Sequence, residues 1–495
     1  MSAVTSSEMR KLEEAAIAAD WTEERLMESA GEHLAHAISR FFPVPGTIIA
    51  YLGKGHNAGD AFVALRSLRD RFHWNIAIRK AFPIDHWSPL TRIKSFELGS
   101  VEDFADTPPW RLLRGPVVLL DGLLGIGAKG ALREPLLAMA GEMAWLRNET
   151  GAKVAAIDLP SGTDPDSGEI HPGSVIADVT FMIGAAKRGL LSEQAANAVG
   201  ALAIVPVEPL TSTDSGESLL ICPQNLRTGS NPRPFDFHKG KAGRVGILAG
   251  SPSYTGAAVL AATGALRGGA GLITLHTPPD AAANISAKCP PEIIIRACTD
   301  PRELLEFNYD SLVIGCGLQG TEPSFHDQVL ELISKTNLPT VIDAEALNLL
   351  AGTDLSKLLK ENHLITPHPG EFKRLARDLG EQPREVAAKA FAARTKATLL
   401  LKGCRTIVTR AGEPLWINST GTPGMATGGQ GDLLSGVIGA LLARGHSPVQ
   451  AASLAAWVCG RAAERALGQP HLSEESLAPS DVLGNLGGAF GDWAR

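Results

Sequence analysis

The residues best suited to chemistry lie in NSTGTPGMATGGQGDLLSGVIGALLARG, residues 418–445. Gly428, Gly429 and Gly431 let the backbone close tightly, and Leu434, Val437, Ile438 and Leu441 then recur on one helical face. A glycine turn feeding a helix N-terminus aims several N–H groups at one point, which makes a cradle for phosphate. Asp432 stands at the mouth of that cradle. A carboxylate is unfavourable beside bound phosphate, so its presence points to a base acting on a substrate hydroxyl. The alternative is an Asp that caps the helix.

Two upstream segments end apolar strands, where open α/β sheets usually bind their ligands. LLLKGCRTIVT (399–409) offers Lys402 and Gly403, and LITPHPGEF (364–372) holds His368 between two prolines. A solvated lysine and a structural histidine in a rigid loop are the plainer readings of these two.

The first half carries GKGHNAGD (53–60) directly after a strand, which begins as a G-x-G-x-x-A dinucleotide fingerprint. The next strand should then end in an acid for the ribose, and it carries Arg79 and Lys80 instead. Asp60, Asp121 and Asp158 each follow an apolar strand and are expected to face one crevice. Converging carboxylates suggest a cation or acid/base work, with helix caps as the alternative for each. GLLGIGAKG lacks the Gly-Lys-Ser/Thr order of a P-loop.

The elements that position these residues alternate between apolar runs and helical stretches. TIIAYLG, NIAIRKAF, VVLLDGLLG, VAAIDLPSG and DVTFMIG read as strands in the first half. RVGILAG, GLITLHTP, SLVIGCG, TVIDAEAL, HLITPHPGE, TLLLKGC and PLWIN form a second series. Both imply mainly parallel, doubly wound sheets. A Ser/Thr/Pro/Gly-rich change of character after Glu208 marks an interdomain connection near 208–220. Ser447 followed by Pro448 opens a further helix.

In 495 residues, 46 Lys and Arg against 53 Asp and Glu leave a net charge of −7, with none of the basic excess nucleic acid requires. The 44% hydrophobic content argues against disorder. Six cysteines without CxxC spacing read as reduced thiols. The polar N-terminus and the lack of any apolar run near ~18 residues lead us to expect a cytoplasmic protein with no membrane partner.

Several motifs in one order give the chain a specific resemblance. KGKAGRVGILAGSPSYTGAAVLAATGALRGGAGLITLHTP, GCGLQ, VIDAEALN, TPHPGE, LKG and GMATGGQGD resemble, in sequence, the bifunctional NAD(P)H-hydrate repair enzymes. That resemblance implies α/β architecture in two three-layer domains. These are a Rossmann-like epimerase over 1–212 and a ribokinase-like ADP-dependent dehydratase over 220–495.

In the dehydratase, the resemblance places Ala257, Gly317, His368 and Asp432 on the hydrate, with Asp432 as the base. It places Lys402, Gly403, Cys404, Arg405, Thr406 and Gly431 on ADP or ATP, with Mg²⁺ as counter-ion. In the epimerase it implies substrate contacts at His56, Asn57, Ala58, Gly59 and Asp60 and at Gly125, Ile126, Gly127, Ala128, Lys129, Gly130 and Ala131. Asp158 is the implied acid/base, and K⁺ is implied at Asn57, Asp121 and Ser161. The substrates would be NADHX and NADPHX, the hydrates of NADH and NADPH, and a homo-oligomer is expected.

The family turn GNNGGDG is altered here to His56, Ala58 and Ala61, and added bulk would narrow the site or shift the backbone. Glu345 and Gln430 also depart from the family pattern. The competing reading is a ribokinase-like kinase of a small alcohol, such as a vitamin precursor, with a non-catalytic N-terminal binding or dimerisation domain.

Overall fold

The computed structural model describes residues 2–103, 115–211, 216–226, 233–319 and 321–494. The chain divides into two compact units, Met1–Ser218 and Leu219–Arg495. Part of the expected connection, residues 212–215, lies outside the described residues.

The first unit is built on β1 (Thr47–Leu52), β2 (Asn75–Lys80), β3 (Glu102–Asp103), β4 (Val117–Gly122), β5 (Lys153–Ile157), β6 (Val179–Ile183) and β7 (Ala201–Val205). They run in the order β3-β2-β1-β4-β5-β6-β7, each paired in parallel with its neighbours. All six residues of β1 are buried, because helices cover both faces of such a sheet. This is the Rossmann-like order expected, with ligand-binding loops at the C-terminal strand ends. The edge strands β3 and β7 were not anticipated: β3 is only the two acidic residues Glu102 and Asp103, and β7 is the short run ALAIV beside the expected interdomain connection.

The second unit contains β8 (Ser218–Ile221), β9 (Arg244–Leu248), β10 (Leu272–Thr277), β11 (Ile294–Ala297), β12 (Ser311–Ile314), β13 (Thr340–Ile342), β14 (His363–Ile365), β15 (Thr398–Leu401), β16 (Ile407–Thr409) and β17 (Leu415–Asn418). The order is β11-β10-β9-β12-β13-β14-β15-β16-β17-β8. β9 to β15 pair in parallel, and β15-β16-β17 turn antiparallel.

Helices Thr255–Arg267 and Gln430–Ala443 pack closely against one side of this sheet. Their approach depends on missing side chains: a Cβ on Gly264 would run into Leu433 O, and one on Gly436 into Ala261 O. Ser447 caps helix Pro448–Leu467 in a reciprocal box with Gln450, as its sequence foretold. Among the described residues, no helix is long and apolar enough to cross a membrane.

The structure corrects one local expectation. GKGHNAGD reads as a turn throughout, but the turn ends at Gly55 and helix His56–Phe72 begins at once. Asp60 therefore lies in a helix and not at a strand end. Ala58 and Ala61 are fully buried on its apolar side, where core packing outweighed the turn-like composition.

Candidate active sites

In the second unit, Gly429 adopts φ +95°, a left-handed conformation glycine tolerates, and starts helix Gln430–Ala443. Asp432 falls in the first turn, yet no side chain caps this helix, so the capping alternative for Asp432 is not realised. Its carboxylate instead faces a cleft of about 230 Å³ lined by Ala257, Gly317, His368, Glu371 and Arg374 among others. Four segments far apart in sequence thus bring Ala257, Gly317, His368 and Asp432 to one wall. Gly317 has φ +67°, and a Cβ there would meet Ala257 at 2.8 Å, so the cleft needs glycine at this point.

Three carboxylates and one ammonium set the field. Lys402 Nζ lies 2.8 Å from Asp343 Oδ1 and 3.8 Å from Glu371 Oε2, and Ser435 Oγ donates to Asp343 Oδ2 at 2.7 Å. Burial opposes the charge on Lys402, but Asp343 and Glu371 hold its pKa above the ordinary value. Asp432 is pushed up to about 6, first by burial and then by Asp343, with the Cys316 thiol and Lys402 opposing. Burial also raises Glu371. A carboxyl poised near 6 is largely ionised at neutral pH and can still accept a proton.

His368 turns out to serve two ends. Its Nδ1 accepts from Gly370 N at 3.0 Å and Glu371 N at 3.4 Å, capping helix Pro369–Leu375, while Glu371 Oε2 accepts from His368 N at 2.8 Å. The half-exposed ring still lines the cleft.

Lys402, Gly403, Cys404, Arg405 and Thr406 form the loop between antiparallel β15 and β16. Gly403 has φ +143° and Arg405 φ +55°, and Arg384 braces the loop by donating to Cys404 O at 2.6 Å and Lys402 O at 3.1 Å. Gly431 adjoins it, since a Cβ there would lie 3.2 Å from Lys402 Nζ. The expected nucleotide residues are therefore contiguous, next to the glycine turn.

In the first unit, Asp121 is fully buried and accepts from Ser161 N and Ser161 Oγ, both at 2.7 Å, and from Leu123 N at 3.2 Å. Burial pushes it up to about 6. Asn57 Nδ2 donates to Leu124 O at 2.8 Å and Ile157 O at 3.3 Å, tying the helix start to the loop after β4 and to the end of β5. Asp158 has φ +68°, accepts from Ile183 N at 3.0 Å, and is ion-paired with buried Lys187. Asp60 is held well above the carboxylate range by burial, then by Asp158 and Glu13.

The segment His56–Asp60 presents only part of itself. Ala58 and Gly59 are buried, and a Cβ on Gly59 would strike Met27 in the neighbouring helix, so the expected substrate contacts at Ala58 and Gly59 are left to their backbone. The methyls of Ala58 and Ala61 are packed in the hydrophobic core of this unit. Gly125, Ile126, Gly127, Ala128, Lys129, Gly130 and Ala131 form a partly exposed loop, with Ala128 and Gly130 beside Leu159 and Gly162.

Sequence reasoning gave no role to Asp343, Glu371, Cys316, Glu13 or Lys187. Asp343 could have been found by the rule that flagged Asp121, since it directly follows β13. Glu371 completes a capping box visible as His-Pro-Gly-Glu. Nothing local singles out Lys187 or Glu13.

A family model described as NAD(P)H-hydrate dehydratase matches residues 245–483, and one for the YjeF-related protein N-terminus matches residues 23–189. The chain is 35% identical over 478 residues to a bifunctional NAD(P)H-hydrate repair enzyme of Gloeobacter violaceus, covering 92% of this chain and 91% of that one. A counterpart from Moorella thermoacetica is 33% identical over 491 residues, with coverage of 92% and 90%. A ribokinase-like superfamily protein from Enterococcus faecalis is similar in structure, with a TM-score of 0.51 and 24% identity, over 56% of this chain and 97% of that one.

Fold and sites together define a two-domain α/β enzyme, a Rossmann-like unit joined to a ribokinase-like one. Given relatives above 30% identity along nine-tenths of its length, the chain belongs to the bifunctional NAD(P)H-hydrate repair enzyme family.

Proposed function

We propose that the second unit dehydrates the S hydrates NADHX and NADPHX at the expense of ADP or ATP, and that the first unit interconverts the R and S hydrates. The observation that carries the first part is the meeting of Ala257, Gly317, His368 and Asp432 in one cleft beside the glycine turn.

In this reading Asp432 takes the proton of the C6 hydroxyl as its oxygen attacks the terminal phosphate. The backbone N–H groups after Gly429 stabilise the transferring phosphoryl group. With ADP the products are AMP and a C6 phosphate ester. The C6–O bond then breaks with its electron pair leaving on phosphate, a C5 proton is lost, and the dihydronicotinamide ring is restored. Lys402 to Thr406 and Gly431 hold the nucleotide. Among the described residues, no group of three or more His, Cys, Asp or Glu is arranged to hold a metal ion. Mg²⁺ carried on the nucleotide phosphates with its own waters would supply countercharge to the transferring group.

In the first unit, the C6 hydroxyl takes a proton from Asp158 and leaves as water while the N1 lone pair closes the C6=N1 bond. Water returning to the opposite face gives up a proton to Asp158. Asn57, Asp121 and Ser161 would offer K⁺ oxygen donors with one formal charge. Among the described residues Asp121 has no ion-pair partner, which fits a K⁺ ion that offsets its buried charge.

The test is recovery of reduced-nicotinamide absorbance from each hydrate epimer, with and without nucleotide. Nucleotide-dependent recovery from the S form, and enzyme-accelerated recovery from the R form, are expected. Stable phosphorylation of an unrelated alcohol without recovery would favour the kinase reading.

A further inference from the structure

Lys187 has no part in the reaction as drawn so far, yet its side chain is only 1% exposed. Burying an ammonium is unfavourable unless it is paired and hydrogen-bonded. Lys187 lies four residues beyond β6 and donates to Ile183 O at 2.7 Å and to Asp158 Oδ1. Ile183 N donates to the same Oδ1 at 3.0 Å, so two donors converge on one oxygen.

The backbone of Asp158 is fixed as well. Its N–H donates to Phe181 O at 2.8 Å, and φ +68° is a conformation that a non-glycine residue keeps only when its surroundings impose it. Two further acids, Glu13 and Asp60, interact with this pair. With its two contacts made to Asp158 and Ile183, the ammonium is committed to one carboxylate among three.

We propose that Lys187 is a positioning residue for epimerisation, gripping Asp158 through Oδ1 so that Oδ2 is presented to the C6 oxygen of the hydrate. This rests on the epimerase reading of the first unit. Asp158 exchanges the proton, and Lys187 fixes which oxygen does so.

A double-mutant cycle on the full chain tests this, measuring conversion of the R hydrate with the dehydratase in excess. Lys187→Met is expected to lower kcat by about 10²-fold, with KM changed by no more than about twofold. Lys187→Met alone leaves Asp158 buried without its cation and could fail to fold, so the decisive variant is Asp158→Asn/Lys187→Met, which removes both charges together. If Lys187 acts only through Asp158, the double variant is no slower than Asp158→Asn alone. Multiplying losses would overturn the assignment, as would wild-type kcat in a folded Lys187→Met. Failure of the wild-type chain to accelerate R-hydrate conversion would remove the epimerase reading itself, a result distinct from either.

Discussion

Lys402 Nζ lies 2.8 Å from Asp343 Oδ1, and its charge opposes the rise of Asp432 less strongly than burial and the Asp343 carboxylate drive it. This pairing divides the labour among the carboxylates of the dehydratase cleft. Asp343 is held by an ammonium and by Ser435 Oγ, whereas Asp432 is left with a raised affinity for protons. A base for an alcohol needs that second environment.

The rate of dehydration should accordingly depend on Asp432 being ionised. Activity is present above about 6 and lost as pH falls through that value. A profile of kcat/KM against pH with the nucleotide saturating measures the limb. A flat profile from pH 5 to 8 would remove Asp432 as the titrating base.

The same shift has a stability consequence of opposite sense. A carboxyl whose folded pKa lies above its unfolded value makes the fold less stable as pH rises between the two. Asp432→Asn should therefore melt higher than wild type at pH 7, by a gain on the order of 1–3 kcal/mol, and show no gain near pH 4. Scanning calorimetry at the two pH values checks this, and equal melting of both proteins at pH 7 would count against the raised pKa.

Removing the cation from its partners should be harsher. Lys402→Met leaves Asp343 buried beside Glu371 without an ammonium, which typically costs about 3–5 kcal/mol. Denaturant unfolding reads the loss. Lys402→Met/Asp343→Asn should recover most of the stability without recovering nucleotide affinity.

Helix contact at glycine is a further sensitive point. Gly436→Leu drives a side chain into Ala261 O of the facing helix, and a loss of about 1–3 kcal/mol or more is expected from such overpacking. Because this contact sits in the turn of helix that follows Asp432, dehydratase activity should fall with it. Unchanged melting would show that the two helices can part freely.

How much of this was legible in the sequence differs between the two units. The glycine turn and Asp432 announce themselves because all the needed residues are consecutive, so local backbone rules suffice. His368 and Lys402 were visible only as polar residues after apolar strands, and their meaning depends on neighbours from other strands. Asp343 reaches Lys402 across β14, and Lys187 reaches Asp158 from beyond β6, which no local spacing encodes. The segment from His56 misled for a different reason. Its Gly, Asn and Asp content resembles a turn, but Ala58 and Ala61 find buried positions only if the chain is helical there.

Dehydration depends most directly on Asp432, and single-turnover dehydration of the S hydrate by Asp432→Asn is the closest test of its role. We predict a loss of about 10³-fold or more in the chemical step, with nucleotide affinity unchanged within about threefold. Turnover within tenfold of wild type would mean that another group takes the hydroxyl proton, contradicting the mechanism.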